Sequence, residues 1–284
     1  MNIRLFAALL ALTLTAALPA NASTTQVLLA GDSTMAAKLP QKRPETGWGE
    51  MFQAWFPSES VTVVNHAMNG RSTRTFIEEG RWAALLEQVR PGDFILIQFG
   101  HNDQSKRKPD RYTPPEAFQA NLARFAADVT NAGATPVLIT PVARRRFDET
   151  GAFYDSHGEY PDLVRDVARQ SGTALIDLHA SSQLFLEAYG AERSKDLFLW
   201  LEPGDSDNYP EGLEDNTHFS PLGARAMASL VMHGILEQVP GLAKQVLKTE
   251  GGIEQDADIA YPDGGPHSGG GETIGHWFFK DSGT

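Results

Sequence analysis

Five short runs of apolar residues recur along the chain, and longer stretches with helical spacing separate them. Each run is continuous rather than alternating, which is typical of strands buried on both faces of a parallel sheet. The predicted strands span residues 26–30, 61–65, 93–99, 135–140 and 173–177.

The stretches between these runs predict helices. The last helix has the clearest start, because Ser220 is a good N-cap and Pro221 suits the first helical position. The predicted helices span residues 49–56, 77–89, 114–131, 160–171, 180–190 and 221–238. Alternation of strands and helices predicts an α/β fold, a doubly wound parallel sheet between two helical layers. In such a fold the ligand site lies beyond the carboxyl ends of the strands.

The two ends of the chain differ from this pattern. Residues 1–22 combine Arg4, an apolar run over residues 5–18 and the small-residue motif Ala20-Asn21-Ala22. These features predict a signal peptide; a retained membrane anchor is the alternative, although the run is short for spanning a bilayer. Residues 23–247 then form the mature domain. Residues 248–284 are rich in glycine, lack hydrophobic periodicity and are predicted to be an irregular tail.

Composition excludes several functional classes. The 284 residues are ample for a sizeable core, and 24 Lys plus Arg against 36 Asp plus Glu give a net charge of −12. An acidic balance argues against nucleic-acid binding and against attachment to anionic lipid through a basic face. The absence of Cys excludes disulfides, thiolate metal sites and a Cys nucleophile. An exported chain without Cys fits a bacterial periplasm or the surrounding medium.

Four polar clusters are candidates for chemistry. Three follow predicted strands, and the fourth precedes the last helix; they contain Ser33, Gly70, Asn102 and the pair Asp215–His218. Taken singly, each is more often a helix cap, an Asn/Gly turn or a chance spacing. Together they place a nucleophile, oxyanion donors and an Asp–His pair at one edge of the sheet.

The residue types in these clusters suit acyl transfer. Ser33, at a strand-to-helix turn, is a nucleophile if a base removes its proton. A three-residue spacing in a turn lets Asp215 hold one ring nitrogen of His218 while the other faces outward. The backbone N–H groups of Ser33 and Gly70 and the side-chain amide of Asn102 are candidate oxyanion donors.

The combination resembles the SGNH (GDSL-like) hydrolase superfamily, and the strings GDSTMA, NHAMNGRSTRTF, FGHND and NYPEGLEDNTHF look like its rhamnogalacturonan acetylesterase branch. The resemblance covers residues 25–238. It implies a flavodoxin-like, three-layer α/β/α fold and a Ser33–His218–Asp215 triad. Thr34 stands where the superfamily name has Leu, as it does in that branch, and the tail has no counterpart in the core pattern.

The expected activity is the removal of acetyl groups from a pectic polysaccharide by an exported esterase that needs no metal or organic cofactor. Basic residues after the second, third and fourth strands predict a rim that attracts substrate carboxylates; solvated loop charges are the alternative. The predicted substrate-binding residues are Arg71, Arg74 and His101. The eight histidines show no spacing typical of zinc sites.

Three alternatives stay open at the level of sequence. One is a lipase- or thioesterase-like member acting on other acyl esters, and another is an acetyl xylan esterase. The third is a carbohydrate-binding protein without activity, against which the complete Ser33–Asp215–His218 set argues. The sequence leaves open the acetylated hydroxyl and the oligomeric state.

Overall fold

A computed structural model of the protein describes residues 24–247. The predicted signal peptide (residues 1–22) and the predicted tail (residues 248–284) lie outside the described residues. The strands are β1 (Thr25–Gly31), β2 (Val61–Asn65), β3 (Phe94–Gln98), β4 (Thr135–Ile139), β5 (Ala174–Ile176), β6 (Phe198–Leu201) and β7 (Leu213–Phe219).

Seven α-helices and three short 3-10 helices accompany the strands in the described chain. The α-helices are α1 (Thr73–Glu78), α2 (Arg81–Leu86), α3 (Pro115–Asn131), α4 (Tyr160–Ser171), α5 (Leu178–Arg193), α6 (Pro221–Gln238) and α7 (Pro240–Ala243). The 3-10 helices are Pro40–Lys42, Trp48–Trp55 and Ser194–Leu197.

The first five strands form one parallel sheet in the order β2-β1-β3-β4-β5. This is the flavodoxin-like order, in which the topology reverses between β1 and β3. Side chains alternate between two buried clusters: Val27 and Leu29 face one, and Leu28 and Ala30 face the other. Helix α6 covers the first face and α3 the second. The predicted three-layer α/β/α fold is confirmed.

Three predicted helices differ from those observed. The stretch 77–89 contains only the end of α1 and the whole of α2, because Gly80 between these two short helices adopts a left-handed φ of 71°. The stretch 49–56 is a 3-10 helix, Trp48–Trp55. Helix α5 begins two residues before residue 180, since Asp177 caps it by accepting from the amide of Ala180.

Strands β6 and β7 were not predicted. They pair antiparallel in a separate two-stranded sheet just before α6. Their register shifts between Phe198 and Leu199, where residues 216–218 bulge out between paired Asp215 and Phe219. Across residues 24–247, none of the helices combines the length and apolar character needed to cross a membrane.

Candidate active site

The carboxyl ends of β1, β2 and β3 meet at one edge of the sheet, and Ser33 lies there in the turn after β1. Ser33 is 8% exposed, and the turn is closed by the amide of Ala36, which donates to the Asp32 carbonyl at 3.0 Å. The predicted turn into a helix is wrong in one respect. The chain leaves the turn without forming an α-helix, and Leu39 is extended (ψ 153°) because Pro40 follows it.

The Ser33 hydroxyl, the His218 ring and the Asp215 carboxylate form one hydrogen-bonded line. Ser33 Oγ lies 2.9 Å from His218 Nε2, and His218 Nδ1 lies 2.7 Å from Asp215 Oδ2. With Nδ1–H donating to the carboxylate, Nε2 is free to accept the serine proton. This arrangement can activate a serine hydroxyl and stabilise the imidazolium that results.

Asp215 and His218 lie on β7 and not in the predicted turn. The bulge in β7 brings these residues, three positions apart, to the same side of the strand. The amides of Thr217 and His218 both donate to Asp215 Oδ1, at 2.7 and 3.1 Å. Burial alone raises the pKa of Asp215, but the bonds from His218 and Thr217 outweigh it and hold this pKa below its usual value.

Arg145, after β4, contacts the bulge in β7. Its guanidinium donates to Asn216 Oδ1 at 2.8 Å and lies over the Trp200 ring at 4.8 Å. The Arg145 amide donates to the Asn216 carbonyl at 2.9 Å. The Trp200 indole also donates to Asn216 Oδ1, at 2.9 Å. Asn216, the first of the two residues between Asp215 and His218, is therefore fixed in both its backbone and its side chain.

Gly70 and Asn102 lie beside Ser33 and line the same cavity. Gly70 has φ of 77°, and a Cβ there would lie 3.1 Å from Arg111 Nη1, so glycine suits both the backbone and the space. Asn102 Nδ2 donates one hydrogen to the Arg71 carbonyl at 2.9 Å, and Arg111 donates to Asn102 Oδ1 at 3.5 Å. The second Nδ2 hydrogen is available to an oxyanion.

A chain of buried hydrogen bonds explains why Thr34 stands where the superfamily name has leucine. Trp48 Nε1 donates to Gln98 Oε1, and Gln98 Nε2 donates to Thr34 Oγ1, each at 2.7 Å. Thr34 Oγ1 then donates to Asp32 Oδ1 at 2.9 Å. The hydroxyl of Thr34 thus joins the end of β3 to the residue preceding Ser33, a contact that leucine cannot make.

Sequence reasoning missed the ion pair of Lys38 and Glu45. The Lys38 side chain is fully buried; its ammonium contacts the Ser33 carbonyl, Asn69 Oδ1 at 2.8 Å and Glu45 Oε1 at 2.8 Å. Glu45 Oε1 lies 4.0 Å from His218 Nε2. Burial lowers the pKa of Lys38, an effect that Glu45 opposes. No spacing rule links these residues, because the fold alone brings their loops together.

The cavity at Ser33 has a volume of about 500 Å3, within the range of small-ligand sites. Lys42, Arg71, Lys108, Arg111 and Arg144 supply five cationic side chains to its lining, while Glu45 supplies the one acidic side chain. The lining contains no Trp, Tyr or Phe. A wall of this composition suits an anionic ligand, even though the whole chain is acidic.

Of the three predicted substrate-binding residues, two line the cavity and one does not. Arg71 and His101 line the cavity, and His101 is buried with its Nδ1 at 3.4 Å from Asp32 Oδ2. Arg74 is outside the lining; it pairs with Glu78 and donates to the carbonyl oxygens of residues 109, 110 and 112. Within residues 24–247, His, Asp and Glu side chains form no group of three that could hold a metal ion.

Sequence comparison relates the chain to known hydrolases. The sequence model of the GDSL-like Lipase/Acylhydrolase family matches residues 29–226. Rhamnogalacturonan acetylesterase RhgT of Bacillus subtilis is 47% identical over 226 residues, which are 80% of this chain and 96% of RhgT. Rhamnogalacturonan acetylesterase of Emericella nidulans is 27% identical over 80% of this chain and 91% of its own length.

Solved structures show the same architecture. The protein YxiM of Bacillus subtilis superposes with a TM-score of 0.64 at 25% identity, covering 76% of this chain and 57% of that one. Axe2, an acetylxylan esterase from Geobacillus stearothermophilus, superposes with a TM-score of 0.52 over 76% of this chain and 96% of its own. At 17% identity, the likeness to Axe2 concerns the fold alone.

Proposed function

This chain belongs to the GDSL-like lipase/acylhydrolase family and is a carboxylic ester hydrolase, and from this premise we propose that it removes acetyl groups from a pectic polysaccharide of the rhamnogalacturonan type. The names of the relatives at 47% and 27% identity support the acetyl group and the polymer. The cavity supports the same class, since its cationic lining suits a polymer that carries carboxylates.

The proposed reaction has two halves. His218 accepts the Ser33 proton as Ser33 Oγ attacks the acetyl carbonyl, and the resulting oxyanion accepts hydrogen bonds from the amides of Ser33 and Gly70 and from Asn102 Nδ2. The sugar oxygen leaves with the proton that His218 returns. Water, deprotonated by His218, then attacks the acetyl-serine; the bond to Ser33 Oγ breaks, acetate is released, and His218 returns the proton to Ser33 Oγ.

One observation carries the proposal: the hydroxyl of Ser33, bonded to His218 at 2.9 Å, lies in the cavity that five cationic side chains line. The Ser–His contact supplies the ester chemistry, and the charge of the wall selects the alcohol part of the ester. A wall without Trp, Tyr or Phe is a poor platform for stacking neutral sugar rings.

We also propose that the protein works outside the cytoplasm. Residues 1–22 have the pattern of a signal peptide, and a polymer of sugars is met outside the cell membrane. The test is to determine the N-terminal residue of the protein recovered from the periplasm or the medium. Cleavage after Ala22 is expected, and an intact Met1 on the active protein contradicts it.

The decisive experiment measures acetate released from acetylated rhamnogalacturonan by the wild type and by Ser33→Ala, with acetylated xylan as the parallel substrate. We expect release from the pectic polymer that the substitution abolishes. Release from xylan alone would keep the chemistry and overturn the substrate. Equal release by both proteins would show that Ser33 is not the nucleophile.

A further inference from the structure

Arg144 differs from the other cations of the cavity in what it contacts. It follows β4, lines the cavity with Ser33 and His218, and donates to the His101 carbonyl at 3.2 Å and to Ser156 Oγ at 3.5 Å. Both acceptors are neutral. In the described part of the chain, no carboxylate lies within ion-pair distance of Arg144.

Each of the remaining cations of the cavity either pairs with a carboxylate or is exposed to solvent. Arg71 pairs with Glu79 at 3.0 Å, and Arg111 pairs with Asp110 at 3.1 Å. Lys42 and Lys108 are exposed, so water solvates their ammonium groups. Arg144 is the member of this set that has neither a carboxylate at close range nor full contact with solvent.

A partly desolvated guanidinium without a close counter-ion is electrostatically unfavourable. Burial lowers the pKa of Arg144 to about 10, so the group is still charged at neutral pH. The carboxylates of Asp32, Asp155 and Asp215 act on it only from beyond hydrogen-bond range. A ligand carboxylate in the cavity would supply the missing partner, and the planar guanidinium can meet it with two parallel N–H donors.

We propose that Arg144 is a specificity-determining residue that binds the carboxylate of a uronate unit while the acetyl ester of the same or the adjacent sugar lies at Ser33. This inference rests on the proposed function. A cavity of about 500 Å3 holds a ligand of small-molecule size, so the carboxylate and the ester must be near neighbours in the polymer. A neutral polymer leaves Arg144 unpartnered and is therefore a poorer substrate.

The test compares two forms of one polymer. Acetylated rhamnogalacturonan is used as isolated and after its carboxyl groups have been reduced to primary alcohols, and kcat/KM for acetate release is measured on each. In Arg144→Gln, we expect the ratio of the acidic to the reduced form to fall at least about 30-fold, the loss typical when one partner of a buried charge pair is removed.

Two further variants make the comparison specific. Arg146→Gln removes the same charge two positions along the chain, where the side chain does not line the cavity, and its ratio should stay within about twofold of the wild type. Arg144→Lys keeps the charge but not the fork of donors, and its ratio should fall at least about fivefold. This conservative variant also serves if Arg144→Gln does not fold.

Binding of free sugars gives an independent readout. Titration calorimetry should detect D-galacturonate and not D-galactose with the wild type, and Arg144→Gln should lose the galacturonate signal. If Arg144→Gln keeps the wild-type ratio and still binds galacturonate, the role of Arg144 is overturned while the proposed function stands. If the wild type releases no acetate from either form of acetylated rhamnogalacturonan, the proposed function fails and this inference fails with it.

Discussion

Asp103, which follows the candidate oxyanion donor Asn102, makes the stability of the protein depend on pH in an unusual direction. Its carboxyl group is fully buried, and Oδ1 accepts from the amide and hydroxyl of Thr73 at 2.9 and 2.6 Å. Burial raises the pKa of Asp103 to about 7, although hydrogen bonds from Thr73 and Thr113 oppose the rise. We expect the folded protein to keep this carboxyl protonated at pH values where the unfolded chain has lost the proton.

The direction and size of this pH effect on the free energy of unfolding follow from the number of protons bound in the folded and unfolded states. Between the ordinary Asp pKa of 3.8 and about 7, the folded state holds one more proton than the unfolded state, so stability falls as pH rises and levels off above pH 7. From pH 5 to pH 8 the loss is about 2.5 kcal/mol. Asp103→Asn has no proton to lose, and its free energy of unfolding should lack this part of the decline.

The assay is urea unfolding followed by tryptophan fluorescence at pH 5 and pH 8. Asp177→Asn is the matched control: Arg165 holds the pKa of Asp177 below its usual value despite burial, so this group is ionised in both states over the whole interval. Its removal should cost the same at both pH values. If wild type and Asp103→Asn change by amounts within about 0.5 kcal/mol of each other, the reasoning about Asp103 is wrong.

Three further outcomes are expected. Asn102→Ala should remain folded and lose on the order of a hundredfold to a thousandfold in kcat, about 3–4 kcal/mol, whereas a loss below about threefold would remove this amide from the site. Lys38→Met leaves the Glu45 carboxylate without its partner and should cost about 3–5 kcal/mol in urea unfolding, part of which Glu45→Gln restores in the double variant. Raising salt from a low level to about 0.5 M should lower kcat/KM on the acidic polymer but not on 4-nitrophenyl acetate; an unchanged value on the polymer would exclude electrostatic attraction of the substrate.

The strands of the parallel sheet were predictable because most of their residues are apolar and pack against the two buried clusters. The apolar run at residues 61–65 coincides with β2, and the helical stretch at residues 160–171 coincides with α4. In both segments the hydrophobic spacing predicts the type of element that the structure shows. The helix expected over residues 77–89 failed at Gly80, where the spacing continues but the backbone turns left-handed.

Strand β7 shows why the second sheet and some contacts of the candidate site were not predictable from the sequence. Its sequence, Leu-Glu-Asp-Asn-Thr-His-Phe, has five consecutive polar residues where a strand normally alternates, and two of them are the candidate site residues Asp215 and His218. Pairing with the apolar β6 and contact with Arg145 stabilise it, and both depend on residues distant in sequence. The four motif clusters could be read from the chain, whereas Lys38, Glu45 and Gln98 gave no sign of their contacts.

The line from Ser33 to His218 joins positions 185 residues apart, so it exists only when the two ends of the described chain have come together. If Ser33 and His218 act as proposed, ester hydrolysis requires that both parts of the chain have folded together. Residues 149–151 are exposed between β4 and β5, and a cut there separates a piece that contains Ser33, Gly70 and Asn102 from a piece that contains Asp215 and His218. Neither piece holds a working site, and the return of ester hydrolysis on mixing would time the docking of β5, α5 and α6 onto the rest of the sheet.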